Sequence, residues 1–326
     1  MSNEMTIIPA KNSLAPASGP VVPALFTAAG EQAAYKFIEF FTANIRNKNT
    51  RQAYLRAVQQ FSDWCEQHEF ELDQLSPVIV AAYIEQLGQE IAAPTVKQHL
   101  AAIRMLCDYL VVGQVIAFNP AAAVRGPKHV VKKGKTPVLN AEETRQLLAA
   151  INLGTIGGLR DRALIGVMVY SFARVGAVVG MDVEDYRQNG KRCWFRLHEK
   201  GGKFHEVPAH HKAEEYMDAY LAEAGIAGAR KMPLFRSMDR RRQLTERRLH
   251  RKEVWAMIKR RARQAGLSEA ICCHTFRATG ITAYLENGGT IENAQAIAAH
   301  ESPKTTKLYD RTSDAISLDE IKRIII

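Results

Sequence analysis

Six residues in the second half of the chain combine a nucleophile, two fixed cations and three carriers of protons. In chain order they are Arg174, Lys200, His274, Arg277, His300 and Tyr309. A guanidinium stays protonated and presents paired donors to an oxyanion. A phenol becomes a nucleophile when a neighbouring group accepts its proton, and amines and imidazoles can donate or accept that proton. The set therefore contains the groups needed to break a phosphodiester by nucleophilic attack without a metal ion.

The order and spacing of these residues carry more weight than any single member. The pair His274-x-x-Arg277 means little alone, because both residue types are common in the chain. His300 follows 26 residues after His274, and Tyr309 closes the motif Thr306-x-x-Tyr309 nine residues later. Each residue taken alone has an ordinary structural explanation, such as an ion pair or a helix cap, whereas the ordered set does not.

The ordered set resembles the catalytic signature of the tyrosine recombinases, also called the phage integrase family. The resemblance implies a site-specific DNA recombinase or integrase that cleaves and rejoins DNA strands. Tyr309 would attack the scissile phosphate and form a 3′-phosphotyrosyl intermediate. Arg174, Arg277 and His300 would bind the non-bridging oxygens of that phosphate.

The resemblance also assigns the groups that move protons. Lys200 holds the place of the hairpin lysine that protonates the leaving 5′ oxygen, a contribution of about 10² to 10⁴ in rate. Lys203 lies on the same turn and stays an alternative to Lys200. His274 holds the place of the residue that helps to deprotonate the tyrosine. Such a reaction needs neither a metal ion nor ATP, so no cofactor is expected.

The chain departs from the pattern of the family at three sites. The family commonly has Gly-Leu before its first arginine, where this chain has Phe172-Ala173, and Leu-Gly before its second histidine, where this chain has Ala298-Ala299. Ala177 stands where the family usually has an acid that supports the active-site arginine and histidine. We expect this last departure to affect the efficiency of the reaction more than its type.

The resemblance further implies the partners of the protein. They are double-stranded recombination sites, three further copies of the chain in a synaptic homotetramer, and an accessory directionality protein as an additional candidate. The amphipathic tail over residues 312–326 is expected to pack on a neighbouring protomer, with packing on its own domain as the alternative. About 30 residues precede the first predicted helix, which favours a simple recombinase of the Xer-like or transposon-encoded type.

Two other functions stay open at this point. A type IB topoisomerase-like enzyme would use the same residue types to relax DNA as a monomer. A catalytically weak DNA-binding regulator would keep the fold without the reaction. The complete constellation around the tyrosine argues against the regulator, and the helical first domain argues more weakly against the topoisomerase.

The elements that position this site are expected to form two domains. The chain has 326 residues, about twice the typical size of one domain. We predict a mainly α fold with a small β-hairpin or sheet in the second domain, and the resemblance implies a two-domain, C-shaped DNA clamp. The expected parts are a flexible arm over residues 1–30, a helical core-binding (SAM-like) domain over 31–116, a basic linker over 117–137 and a catalytic domain over 138–326.

Capping residues and apolar stripes locate the elements of the first domain. The pattern predicts a helix near residues 31–44, a second helix capped by Thr50, a third that opens at Ser76-Pro77 and a fourth after Pro94.

Similar signals occur in the second domain. Asn140 and Glu143 predict a capping box, and two strand-like runs within residues 193–208 predict a hairpin whose tip carries the lysines. A further helix is predicted from about Leu244, with Leu249 on its buried face.

Basic residues concentrate in one segment of the chain. Lysine and arginine number 44 against 34 acidic residues, for a net charge of +10, and residues 230–263 hold fourteen of the bases with three acids. This segment accounts for the whole excess, which favours a phosphate-contacting surface over a merely solvated helix. The candidate DNA contacts are Arg51, Lys97, Arg104, Arg125, Lys132, Lys133, Lys203, Arg241 and Arg247.

The remaining composition limits the class of protein. The apolar runs fall short of the ~20 residues of a membrane helix, and the N-terminus lacks a secretory pattern, so a cytoplasmic, nucleoid-associated protein with no membrane partner is expected. Five scattered cysteines favour reduced thiols. Cys272, Cys273 and His274 are consecutive, which is poor geometry for zinc, so no metal site is expected.

Overall fold

The chain divides into two compact units, the first ending at Val130 and the second beginning at Val131. A computed structural model describes residues 21–131, 134–199 and 204–310. Within these ranges both units consist mainly of helices, and the strands lie in the second unit, which confirms the predicted fold class. The predictions for Lys132, Lys133, Lys200, Lys203 and the tail over residues 312–326 lie outside the described residues.

The first unit is a bundle of helices around an aromatic core. Its helices are α1 (Ala24–Ala28), α2 (Glu31–Glu39), α3 (Lys48–Gln67), α4 (Pro77–Glu90) and α5 (Ala93–Val112). A π-helical turn over Phe40–Asn44 extends α2, and Ser76 caps α4 as predicted. The rings of Phe26 and Phe37 pack with centroids 4.8 Å apart, and Phe41 lies 4.9 Å from Phe37.

Two predictions for the first unit are wrong. The flexible arm does not extend to residue 30, because α1 begins at Ala24 and buries Leu25 and Phe26 in the core. This helix is too short to show a helical period in the sequence. The cap of α3 is Asn47 rather than Thr50: the Asn47 side chain accepts hydrogen bonds from the N–H groups of Asn49 and Thr50, so the helix begins almost one turn earlier.

The second unit surrounds one apolar helix with shorter elements. Its elements are α6 (Ala141–Ala149), α7 (Ile156–Tyr170), α8 (Val175–Gly180), β1 (Tyr186–Asn189), β2 (Arg192–His198), β3 (Phe204–Pro208), α9 (His211–Ala224), β4 (Arg236–Met238), β5 (Leu244–Arg248), α10 (Arg251–Gln264), α11 (Cys273–Glu286), α12 (Ile291–Ala298) and α13 (Pro303–Lys307). Helix α7 is buried on nearly every face and packs against α9 and α11. Across the described ranges, no helix combines the length and apolar character that crossing a membrane requires.

Two small antiparallel sheets complete the second unit. Strands β1, β2 and β3 form one sheet in chain order, and Leu197 pairs with His205 near the end of the β2–β3 ladder. This pairing confirms the predicted hairpin. Asn140 and Glu143 also form the predicted capping box at the start of α6.

One prediction for the second unit is wrong. No helix begins at Leu244, because residues 244–248 form β5, which pairs with β4. Helix α10 begins only at Arg251, after His250 as its cap. Leu249 directly follows the strand and is buried in the core, as predicted. Pairing with a distant strand therefore overrides the local helical pattern.

Candidate active site

Five of the six predicted catalytic residues lie at helix ends of the second unit. Arg174 is the N-cap residue of α8, and His274 and Arg277 lie in the first turns of α11. His300 follows the end of α12, and Tyr309 follows the end of α13. The sixth, the hairpin lysine, lies outside the described residues.

Arg277 is the buried centre of this group. Its residue is 1% exposed, its Nη1 donates to the carbonyl of Phe172, and its Nη2 donates to the carbonyl of Ala298 at 2.6 Å. Burial lowers the pKa of the guanidinium to about 10, and the charge of Arg174 adds to the lowering, whereas Tyr309 opposes it. The group stays protonated at neutral pH, so a fixed cation lies beside the tyrosine.

Both turns that supply these carbonyls have a left-handed residue. Phe172 has a φ of 53°, and Ala299, directly after Ala298, has a φ of 48°. This conformation costs an L-residue about 1–2 kcal/mol, which glycine avoids. At these two departures from the family pattern, residues other than glycine thus hold left-handed turns, and the carbonyls of Phe172 and Ala298 face the arginine.

The rings of His300 and Tyr309 contact each other in this site. Their rings are nearly parallel, with centroids 5.8 Å apart, and Nδ1 of His300 is 2.8 Å from the hydroxyl of Thr306. Burial, together with the charges of Arg277 and Arg174, lowers the pKa of His300 to about 4. The imidazole is therefore neutral at pH 7 and can hydrogen-bond to a phosphate oxygen without adding charge.

The backbone around Tyr309 is tied to two distant segments. Thr282 on α11 donates its hydroxyl to the carbonyl of Tyr309 at 2.9 Å. The N–H of Gly134 donates to the carbonyl of Leu308 at 3.0 Å, and a Cβ at Gly134 would lie 2.7 Å from that oxygen. The end of the predicted linker therefore anchors the segment that carries the tyrosine, and this position requires glycine.

His274 presents an exposed face at the start of α11. Desolvation by the surrounding protein atoms is the main cause that lowers the pKa of His274 from its usual value. The positive charges of Arg277 and Arg174 lower this pKa further. A neutral imidazole at this position can accept a proton at pH 7. No group of three or more His, Cys, Asp or Glu residues within the described ranges could hold a metal ion.

Arg174 has a partner that the sequence analysis missed. Its Nη1 donates to Oε2 of Glu199 at 2.5 Å, at the end of β2. Glu199 directly precedes the hairpin lysine in the sequence. An acidic residue next to a predicted catalytic lysine was the sequence signal that could have identified Glu199 as part of the site. Ala177, in contrast, is a buried methyl on α8.

The basic segment over residues 230–263 is partly neutralised within the unit. Arg261 forms an ion pair with the buried Asp161 at 2.7 Å, and Arg248 forms one with Asp182 at 2.5 Å. Arg236 is itself buried. Part of the segment therefore stabilises the fold, and the remaining exposed bases lie before β4, on the β4–β5 turn, on β5 and on α10.

The other candidate DNA contacts fall into two groups. Arg51 donates to the carbonyl of Ile45, and Arg104 donates to the carbonyls of Ala121 and Val124, so both guanidinium groups have structural partners. Arg247 forms an exposed ion pair with Glu253. The side chains without an ion pair or hydrogen bond among the described residues are exposed, and they are Lys97, Arg125 and Arg241.

Comparison with known families matches both units. The family described as "Phage integrase family" matches residues 137–315, and "Phage integrase, N-terminal SAM-like domain" matches residues 35–115. A tyrosine recombinase XerC of Chlamydia caviae is 30% identical over 236 residues, which cover 72% of this chain and 73% of the relative. A XerD of Staphylococcus aureus is 25% identical over 82% of this chain and 89% of its own length.

Solved structures share the fold at lower identity. XerH site-specific recombinase bound to its difH substrate aligns with a TM-score of 0.64 and 16% identity, over 90% of this chain and 83% of that chain. A lambda integrase tetramer bound to a Holliday junction aligns with a TM-score of 0.64 and 18% identity, over 87% and 78%.

Proposed function

The chain belongs to the phage integrase family, and on that premise we propose that it is a site-specific DNA recombinase whose nucleophile is Tyr309. The observation that carries the proposal is the position of this tyrosine, stacked on the neutral His300 and next to the buried cation of Arg277. The second arginine, Arg174, is close enough to lower the pKa values of Arg277 and His300. A nucleophile and two cations thus share one site.

Cleavage would form a bond between phosphorus and Oη of Tyr309 and break the bond between phosphorus and the 5′ oxygen. The proton of the phenol would pass to the neutral His274, and the amine of Lys200 would give a proton to the departing 5′ oxygen. The DNA strand would then carry a free 5′-hydroxyl, and its 3′ end would be a phosphotyrosine.

Rejoining would reverse these steps on a new strand. A 5′-hydroxyl from the partner DNA would attack the phosphotyrosine and release Tyr309. The energy of the phosphodiester is conserved in the intermediate, so the exchange needs no ATP. Arg174 and Arg277 would stabilise the charge that develops on the non-bridging oxygens, and one lost donor of this kind commonly costs about 10² to 10³ in rate.

We propose DNA as the partner of both units and a tetramer as the active assembly. Residues 31–116 would act as the core-binding domain and residues 138–326 as the catalytic domain, with the bases of residues 230–263 and of the linker over residues 117–137 on the phosphate backbone. The tail over residues 312–326 would pack on a neighbouring protomer. A truncation after Ser313 that left synapsis and recombination intact would contradict this role of the tail.

A covalent-trapping experiment tests the proposed reaction. Nicked DNA fragments from the flanks of the gene are incubated with the protein, denatured in SDS and separated by electrophoresis. The short strand lost at the nick prevents rejoining, so a covalent protein–DNA band should accumulate. Tyr309→Phe should abolish the band, while Tyr284→Phe, which removes a hydroxyl from a tyrosine packed in the same cluster, should retain it.

The affinity of the protein for the same fragments, measured beside the covalent band, distinguishes an enzyme from a DNA-binding regulator. A band that survives Tyr309→Phe would contradict the nucleophile. Tight, salt-sensitive binding without any band would favour a regulator that keeps the fold.

A further inference from the structure

We propose that Glu199 is the positioning residue of Arg174, and that the end of β2 thereby supplies the carboxylate that α8 lacks. The inference rests on the proposed function, since Arg174 must be oriented toward a phosphate for the position to matter. It adds a residue to the site that the ordered signature does not contain.

The geometry of the pair supports a fixed orientation. The distance between Nη1 of Arg174 and Oε2 of Glu199 is 2.5 Å, the range of a strong charge-assisted hydrogen bond. The Glu199 side chain is 7% exposed, whereas the Arg174 side chain is 37% exposed. The carboxylate is therefore the buried, immobile partner, and the arginine keeps an open side for a ligand.

Few other groups hold the Arg174 side chain in position. Among the described residues, its guanidinium has no other hydrogen bond, in contrast to Arg277 with its two carbonyls. Helix α8 reads VGAVVG and carries no acidic side chain, and Ala177 fills its place with a buried methyl. Without Glu199 the arginine would be free to sample several rotamers, which costs entropy when a phosphate binds.

The position of Glu199 in the chain adds a second effect. It is the last described residue before the hairpin tip, directly adjacent to Lys200. A bond from Glu199 to Arg174 ties that end of the hairpin to the phosphate-binding arginine. The same contact would therefore hold the end of β2 as well as the arginine.

The charge of Glu199 also balances the site. Two arginines lie close together here and lower the pKa values of both histidines, and the charge of Arg174 also lowers the pKa of Arg277, so the two cations repel each other. One carboxylate offsets part of that repulsion and lets both cations share a single phosphate. Glutamine at this position would keep the shape and lose this compensation.

Single-turnover cleavage and DNA affinity, measured together, test the inference. Glu199→Ala should lower the rate of covalent complex formation by about 10- to 100-fold, because a displaced arginine misplaces the phosphate. The dissociation constant for the same DNA should stay within about threefold, since many contacts with the phosphate backbone dominate the affinity of a DNA-binding protein. Glu199→Asp should recover most of the rate.

Two controls separate positioning from general damage to the sheet. Glu206→Gln removes the acid of another Arg–Glu pair in the same sheet, with Arg187 at 2.7 Å, and should leave the rate unchanged. In an Arg174→Ala background, Glu199→Ala should add less than about a twofold loss, because its effect passes through the missing arginine. Independent, multiplicative losses would overturn the inference.

A measurement without catalysis keeps the test separate from the proposed function. The guanidinium N–H signal of Arg174 in a ¹⁵N–¹H NMR spectrum should be slow to exchange in the wild type and in Glu206→Gln, and lost in Glu199→Ala. A signal that survives Glu199→Ala would overturn the inference whether or not the protein cleaves DNA. If the signal is lost but no variant forms a covalent complex, the proposed function fails while the contact stands.

Discussion

The α11 side and the β2 side of the site hold their arginines in different ways. On the α11 side, Arg277 is almost fully buried and donates to the backbone carbonyls of Phe172 and Ala298. On the β2 side, Arg174 is partly exposed and donates to one carboxylate, that of Glu199. The orientation of Arg277 therefore depends on the path of the backbone, whereas the orientation of Arg174 depends on a single side chain.

This difference explains which departures from the family pattern the chain can carry. A carbonyl remains in place when the side chain changes, so Phe172 and Ala299 can replace glycines if the turns keep their left-handed residues. A carboxylate disappears with its residue. No acid stands at Ala177, and on our proposal Glu199 supplies the carboxylate instead.

The largest effect on the cleavage rate is expected when lysine replaces one of the two arginines. Lysine is a point donor that cannot span two carbonyls, so Arg277→Lys should lower the single-turnover cleavage rate by about 10³-fold. At the other position a lysine can still pair with Glu199 and a phosphate, so Arg174→Lys should cost about 10²-fold. Equal losses for the two variants would contradict the proposed difference between the two arginines.

The next effect concerns the close packing that brings the Phe172 carbonyl to Arg277. A Cβ at Gly280 on α11 would lie 2.0 Å from the carbonyl of Val169 and 2.8 Å from the Phe172 ring. Gly280→Ala should therefore lower the free energy of unfolding by about 1–3 kcal/mol and slow cleavage. Chemical denaturation followed by circular dichroism measures the first effect.

Gly88→Ala is the matched control for that substitution. Gly88 lies inside α4 of the first unit with open space around its Cβ position. The alanine should raise the free energy of unfolding by up to about 1 kcal/mol, as its helix propensity predicts. A loss of stability at both positions would mean that the contact at Gly280 is not the cause.

A smaller effect of opposite sign is expected where an alanine occupies a left-handed turn. Ala299→Gly should raise the free energy of unfolding by about 0.5–1 kcal/mol, because relief of the backbone strain exceeds the added flexibility of the unfolded chain. Ala298→Gly, one residue earlier in the right-handed helix, should lower it by a similar amount. Denaturant midpoints of the two variants give the comparison directly.

The last effect is a pH dependence from His300, which appears only below neutral pH. Its pKa is about 4 in the folded protein, below the ordinary value of 6.5, so the unfolded chain binds more protons between these values. The stabilising contribution is complete above pH 6.5 and is lost as the pH falls toward 4. Denaturant midpoints measured across this range should show a shallower loss for His300→Gln, and identical slopes would contradict the assignment.

The grouping of the proposed catalytic residues could be predicted from sequence because their types are unusual in that order. Arg174, Arg277, His300 and Tyr309 are far apart in the chain, and family resemblance, not local periodicity, joined them. Glu199 could not be found this way, since it lies outside the signature and its contact with Arg174 depends on how β2 ends relative to α8. The departures at residues 172 and 299 gave no sign that the turns stay left-handed.

The fold was predictable wherever a local signal decided it. Caps such as Ser76 and the box at Asn140 gave helix starts correctly. The helix predicted from Leu244 was wrong because β5 forms only through pairing with β4, a contact that no local pattern contains. Helix α1 was missed because five residues hold less than two turns, and its stability comes from burying Leu25 and Phe26.

The most direct test of the account is to identify the residue that becomes bound to DNA. The covalent complex is formed on nicked DNA, digested with nuclease and trypsin, and analysed by tandem mass spectrometry. We expect a nucleotide joined through its 3′-phosphate to the tyrosine of the peptide over residues 308–311. An adduct on any other residue, or a 5′-phosphate linkage, would contradict Tyr309 as the nucleophile of this site.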